Sequence, residues 1–244
     1  MPAAYKVLTV SDVDQTEQDM SFKGGIPNIS DRFEVPCCSY CEMPMTFFFQ
    51  VAFPKGHIWD KWVMAFFYCT SWEHDKGRYE EYVDTIYVPD QIRFLNDFLA
   101  TYQKNFRVYV FEQSETTNLQ PQVPQLFEFE RFEFEPVDAS ASYEQTTKVG
   151  GIPDWEWGDA THNDIYKNIT YMDGGVDFLM KLERDCMFMR LPDAPLRHEY
   201  LYVDKYDINN PHVSNYNVFF GHPLFFFGSN SPRVNPPQVL LYLG

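Results

Sequence analysis

The stretch Cys38-Ser39-Tyr40-Cys41 holds residue types at a spacing that suggests a definite chemistry. Two thiolates two residues apart in a turn lie on one side of the backbone and can grip one tetrahedral metal ion. Closing such a site takes two more ligands. Cys69 ends a Phe-rich run, and His74 stands five residues further on. Cys38, Cys41, Cys69 and His74 are therefore expected to form a three-cysteine, one-histidine zinc site, with Cys37 as a spare thiol. The competing reading is metal-free. Cysteine is among the most buried residue types, so Cys69 would be a small core hydrophobe and Cys38 and Cys41 a loop without an ion. A second Cys-x-x-Cys would favour metal, and the second half offers only Cys186. The cofactor expectation is thus none, or one structural zinc. A redox role is disfavoured, because the pair does not open a helix in a βαβ setting.

Catalytic signatures are missing from the sequence. It has no Gly-x-Ser-x-Gly elbow, no His-Glu-x-x-His pair and no phosphate-cradling glycine loop. The six histidines are scattered, and among 35 acidic residues no carboxylate pair is singled out. The expectation is a protein that is not an enzyme.

The elements that must position these cysteines are mostly strands. Phe47 to Phe53 and Val63 to Cys69 are apolar runs of buried-strand length, and Phe106 to Phe111 alternates. Ile86 to Val88, Glu199 to Asp204, Leu224 to Gly228 and Val239 to Leu243 are further strand candidates. One central helix is expected over about 90–104, where Ile92, Leu95, Phe98, Leu99 and Tyr102 recur at helical spacing. In Leu126 to Glu135 four Phe alternate with Glu128, Glu130, Glu133 and Glu135, and Arg131 shifts the phase as a β-bulge would. That places four Phe inward and four Glu outward. Residues 1 to 21 read as a polar lead-in. With 23 Phe, 16 Tyr and 5 Trp, a thick aromatic core is expected.

Gly-Gly-Ile-Pro occurs twice, at Gly24, Gly25 and Pro27 and at Gly150, Gly151 and Pro153, about half the chain apart. Each copy precedes an apolar run, Thr46 to Phe53 or Val176 to Leu182. This points to internal duplication. The expected organisation is one domain, 1–244, of two pseudo-repeated lobes, about 22–137 and about 148–244, joined through the polar stretch 138–147.

A net charge of −16 leaves no basic surface for phosphates, so neither nucleic acid nor an anionic membrane is an expected partner. A basic protein fits better, and long-range attraction would speed the encounter. The row Glu128, Glu130, Glu133 and Glu135, with Asp154, Trp155, Glu156 and Trp157, is the expected contact face. The bland reading of the same acidity is solubility alone. No secretory signal and no apolar span of membrane length is legible, and five cysteines, an odd number, suit a reducing compartment, so the cytoplasm is expected.

The order of motifs resembles the bacterial YwqG-like family. Phe22-Lys23-Gly24-Gly25-Ile26-Pro27 comes first, then Cys38-Ser39-Tyr40-Cys41-Glu42-Met43-Pro44-Met45, then Phe47-Phe48-Phe49-Gln50-Val51. With Phe66-Phe67-Tyr68-Cys69 following, it is also distantly similar to the programmed cell death protein 2 family. The resemblance covers residues 22 to 69 and, more loosely, 148 to 182. It implies an α+β, mostly β, internally duplicated fold of twisted antiparallel sheets. It also implies binding rather than catalysis: an immunity protein that neutralises a bacterial toxin, or a zinc-binding escort of a basic client. Lys181 replaces the Gln that the family pattern places in the second copy of the strand.

Overall fold

The computed structural model describes residues 3–70, 104–116, 119, 123, 125–139, 146–153, 176–194, 215–217, 223–229 and 239–243. β-Branched and aromatic residues dominate these segments, and they form strands. In chain order these are β1 (Ala4–Val10), β2 (Phe22–Lys23), β3 (Thr46–Ala52), β4 (Trp62–Tyr68), β5 (Phe106–Glu112) and β6 (Glu130–Val137). Then come β7 (Lys148–Gly150), β8 (Val176–Leu182), β9 (Met187–Met189), β10 (Asn215–Asn217), β11 (Leu224–Ser229) and β12 (Val239–Leu243). Helix among the described residues is limited to one 3-10 turn, Gln113–Glu115. The helix expected over 90–104 falls almost wholly outside the described residues, as do the strand candidates at 86–88 and 199–204.

Ten strands make one antiparallel sheet in the order β12-β11-β8-β7-β1-β6-β2-β3-β4-β5, and β9 pairs with β10 beside it. The sheet curls: Phe226 of β11 meets Phe49 of β3 and Phe66 of β4 edge-on, each at 5.6 Å between ring centroids. Those strands are far apart in the order, so only a curled sheet can bring their rings together. The enclosed core is the expected aromatic one, with Trp59, Phe48, Phe127, Phe188 and Phe225 also in it.

β4 is buried on both faces, which is why its sequence is an unbroken apolar run. Met64, Phe66 and Tyr68 enter the large core, while Val63, Ala65 and Phe67 enter a second, smaller cluster that also holds Cys38 and Cys69. In β3 the pairing skips Phe48, between Phe47↔Phe67 and Phe49↔Phe66. This bulge turns both Phe48 and Phe49 into the large core.

The order is balanced about the central β1–β6 pair, with β2-β3-β4-β5 on one side and β7-β8-β11-β12 on the other. The two Gly-Gly pairs follow β2 and finish β7 in matching registers. Phe22, two places before Gly24, faces Gln50, and Lys148, two places before Gly150, faces Lys181. All four glycines are left-handed, with φ of 62, 68, 72 and 76°. Both first glycines lie against neighbouring backbone: an added Cβ would stand 1.9 Å from the Glu128 carbonyl oxygen at Gly24 and 2.3 Å from that of Ala3 at Gly150. Pro27 and Pro153 are both buried just beyond.

Two expectations need correction. The segment 1–21 is not merely a polar lead-in, because β1 is a central strand that pairs with both β6 and β7. Its Val7 joins the large core and Tyr5 packs on Phe134 at 6.3 Å. Nor is Arg131 a bulge: β1 and β6 pair without interruption from Arg131 to Val137. The phase changes earlier, where Phe127 bridges Arg190 and the Glu128 amide donates to the Met189 carbonyl at 2.8 Å. Phe127 and Phe132 consequently share the large core, whereas Phe129 packs on the smaller cluster against Phe22.

Candidate metal centre

Three of the four expected ligands converge. The Sγ atoms of Cys38, Cys41 and Cys69 all lie within 4.8 Å of one another, and Cys41 and Cys69 are 3.6 Å apart. A tetrahedral zinc with bonds of about 2.3 Å sets its sulfurs about 3.8 Å apart. A disulfide would need about 2.05 Å, and the cysteines are free thiols. Cys37 is exposed and outside the cluster. His74 falls outside the described residues.

The local sequence builds this cluster in three steps. The apolar run of β4 delivers Cys69 at its end. The loop carrying Cys38 and Cys41 is pinched shut by the Cys37↔Pro44 bridge and by the Met45 amide donating to the Pro36 carbonyl at 2.7 Å. Inside it the Cys38 amide donates to the Met43 carbonyl at 2.9 Å and the Glu42 amide to the Cys38 carbonyl at 2.8 Å, with Glu42 left-handed at φ 61°. This turn aims amides at sulfur: Tyr40 N–H donates to Cys38 Sγ at 3.4 Å, and the Met43 amide to Cys41 Sγ. Finally, residues 104 and 105 strap loop and strand together. The Lys104 carbonyl accepts from the Ser39 amide and the Asn105 carbonyl from the Cys69 amide, each at 2.8 Å. Lys104 Nζ sits 5.7 Å from the centre of the Tyr40 ring.

Burial pushes the Cys41 thiol above its usual range, and neighbouring Cys38 adds to this against the amide of Met43. A bound cation reverses that balance, because a coordinating thiol loses its proton outright. Three thiolates suit a soft or borderline metal such as zinc and not calcium or magnesium. The donor set therefore fits one zinc ion, with three protein ligands among the described residues. Burial pushes the Cys186 thiol up to about 11, and it is not part of the cluster.

The expected acidic face is only partly assembled. Glu128, Glu133 and Glu135 are exposed, but Glu130 is not part of an outward row. It forms an ion pair with buried Lys23 and accepts the Ser11 hydroxyl. Lys23 Nζ in turn donates to the Met187 carbonyl at 2.6 Å and lies 5.6 Å from the centre of the Phe188 ring. The reason is register: Glu130 lies opposite Lys23 and on the same face as Phe132 and Phe134. Asp154, Trp155, Glu156 and Trp157 lie outside the described residues.

Gln50 explains its place in the motif. Fully buried, it accepts from the Asn28 amide and donates to the Met20 carbonyl, both at 3.2 Å, and so ties the chain on either side of the first Gly-Gly-Ile-Pro to β3. Gln15 clamps the same element by exchanging two bonds with the backbone of Ile26. At the second copy, buried Lys148 donates to the Ile152 carbonyl at 2.9 Å, and buried Lys181 pairs with Glu183 at 3.2 Å. Lys148 had no signal in the sequence, because a lysine reads as a surface residue until its register is known, whereas Lys181 stood out only as a departure from the Gln of the motif.

No protein-family model, no curated protein and no solved structure matches the chain. Among the described residues no helix is long and apolar enough to cross a membrane.

Proposed function

We propose that this chain is a non-catalytic, zinc-stabilised binding protein that escorts a basic client. The observation that carries the reading is the convergence of Cys38, Cys41 and Cys69, drawn from a loop and a strand end, at a sulfur spacing that suits one zinc ion. A metal at that point ties the loop to β4 and the 104–105 strap, where it serves folding rather than turnover. The client's basic character rests on the net charge of −16 and on the exposed carboxylates of Glu128, Glu133 and Glu135. The five free cysteines support a reducing, cytoplasmic setting. Recovery from the native host at low salt should bring down a basic protein that elutes as salt rises. The Cys38→Ser/Cys41→Ser double variant should lose both metal and client. Retention of client by that variant would refute the escort reading.

The second reading, an immunity protein that neutralises a toxin through its acidic surface, is favoured by the exposure of Glu133 and Glu135 on a central strand. It needs no metal, so the same double variant separates the two.

We also infer an internal duplication consistent with the YwqG-like resemblance. The balanced strand order and the shared registers of the two glycine pairs support it. On this reading β1 and β6 open the two lobes and are exchanged between them, since β1 pairs with β7 and β6 with β2. The lobes then begin near Ala4 and Glu130, not near 22 and 148.

A further inference from the structure

Asn105 is completely buried, and among the described residues neither its Oδ1 nor its Nδ2 has a hydrogen-bond partner. An orphaned buried amide loses its hydration without gaining a bond in return, and native proteins keep few of them. Its position is defined by the sheet. β4 and β5 pair Tyr68 with Phe106 as their last rung, and just beyond it the Cys69 amide donates to the Asn105 carbonyl at 2.8 Å, so the two residues lie opposite each other at the strand ends. Residues directly opposite on antiparallel strands project to the same face, with Cβ atoms about 4.5–5.5 Å apart. The orphaned carboxamide therefore shares a face with the Cys69 thiol, which is 3.6 Å from that of Cys41.

Resting on the zinc reading above, we propose that Asn105 is a positioning residue of the metal centre, its Nδ2–H donating to the metal-bound thiolate of Cys69. Three thiolates on a divalent ion leave one negative charge in a buried place. Donors aimed at sulfur spread that charge and hold each ligand in its orientation. Cys38 and Cys41 already have such donors in the backbone amides of Tyr40 and Met43. Asn105 gives Cys69 the same service from a side chain. The unsatisfied amide of the metal-free chain is the structural cost of having that donor ready.

The test separates a metal-dependent role from a purely structural one. Asn105→Leu removes the donor and keeps the branched shape of the side chain. Urea unfolding with a chelator present should find the metal-free variant as stable as the parent or more so. Competition with a chromophoric chelator should find zinc held about 10–100-fold more weakly. Cobalt substitution should show the same thiolate-to-metal absorption intensity as the parent, since the sulfur ligands are unchanged. Asn105→Ala covers the case in which the leucine variant does not fold: it removes the donor without adding bulk or a new ligand, and its zinc affinity should also fall at least tenfold. Unchanged zinc affinity in either folded variant would overturn the role of Asn105 while leaving the centre intact. A parent protein that binds neither cobalt nor zinc would remove the centre itself, and the proposal with it.

Discussion

His57 makes the folded chain sensitive to acid in a calculable way. Its ring is buried, stacks on Phe53 at 4.6 Å with an interplanar angle of 15°, and Nδ1 accepts the Trp59 amide at 3.0 Å. Burial pushes its pKa down from 6.5 to about 4, against the smaller opposing effects of the Leu179 backbone and the Asp60 carboxylate. The unfolded chain takes up this proton near 6.5 and the folded chain only near 4. The contribution to stability is therefore complete above pH 6.5 and is lost as pH falls towards 4. With those two values the loss is about 1.4 kcal/mol at pH 5.5 and about 2.5 kcal/mol at pH 4.5. His57→Asn keeps an acceptor for the Trp59 amide and removes the titration. Urea unfolding of both proteins at pH 7.5 and 4.5, with a chelator present, cancels the carboxylates they share. The parent should lose about 2.5 kcal/mol more than the variant. Stability curves that stay parallel across this range would refute the reasoning.

Other substitutions test the packing around the motifs. Gly24→Ala drives a Cβ into the Glu128 carbonyl at a left-handed residue, and should cost more than about 3 kcal/mol or prevent folding. Gly56→Ala, also at positive φ but with its Cβ only in ordinary van der Waals contact with Ala3 and Tyr5, should cost only about 1–2 kcal/mol in thermal or urea unfolding. Glu130→Ala strands Lys23 without its ion pair and should destabilise by about 3 kcal/mol, whereas Glu133→Ala should stay within about 0.5 kcal/mol. Reversing Glu128, Glu133 and Glu135 to Lys should slow capture of the basic client and flatten its salt dependence in stopped-flow mixing.

Strand identity was legible wherever both faces of a strand are buried. The Phe-rich runs of β3, β4 and β11 are apolar at nearly every position and of strand length, which is the mark of a strand covered on both sides. β1 was missed because Ala4–Val10 sits among charged residues and only Ala4 and Val7 are buried, although Tyr5, Val7, Thr9 and Val10 carry the β-propensity of a strand. The Arg131 bulge was inferred from a real change of phase, but periodicity does not say where along a segment the change occurs. Glu130 looked like its neighbouring glutamates because a one-dimensional pattern cannot show that a buried lysine lies opposite. The cysteine set was legible in part: Cys38, Cys41 and Cys69 follow from a turn and a strand end, whereas Asn105 becomes relevant only through strand pairing.

The central claim is that the three cysteines hold an ion. Elemental analysis of the purified chain, expressed with zinc available and freed of loosely bound metal, tests it most directly. Close to one zinc per chain is expected, falling towards zero in Cys41→Ser and Cys69→Ser. A parent protein carrying essentially no zinc would contradict it.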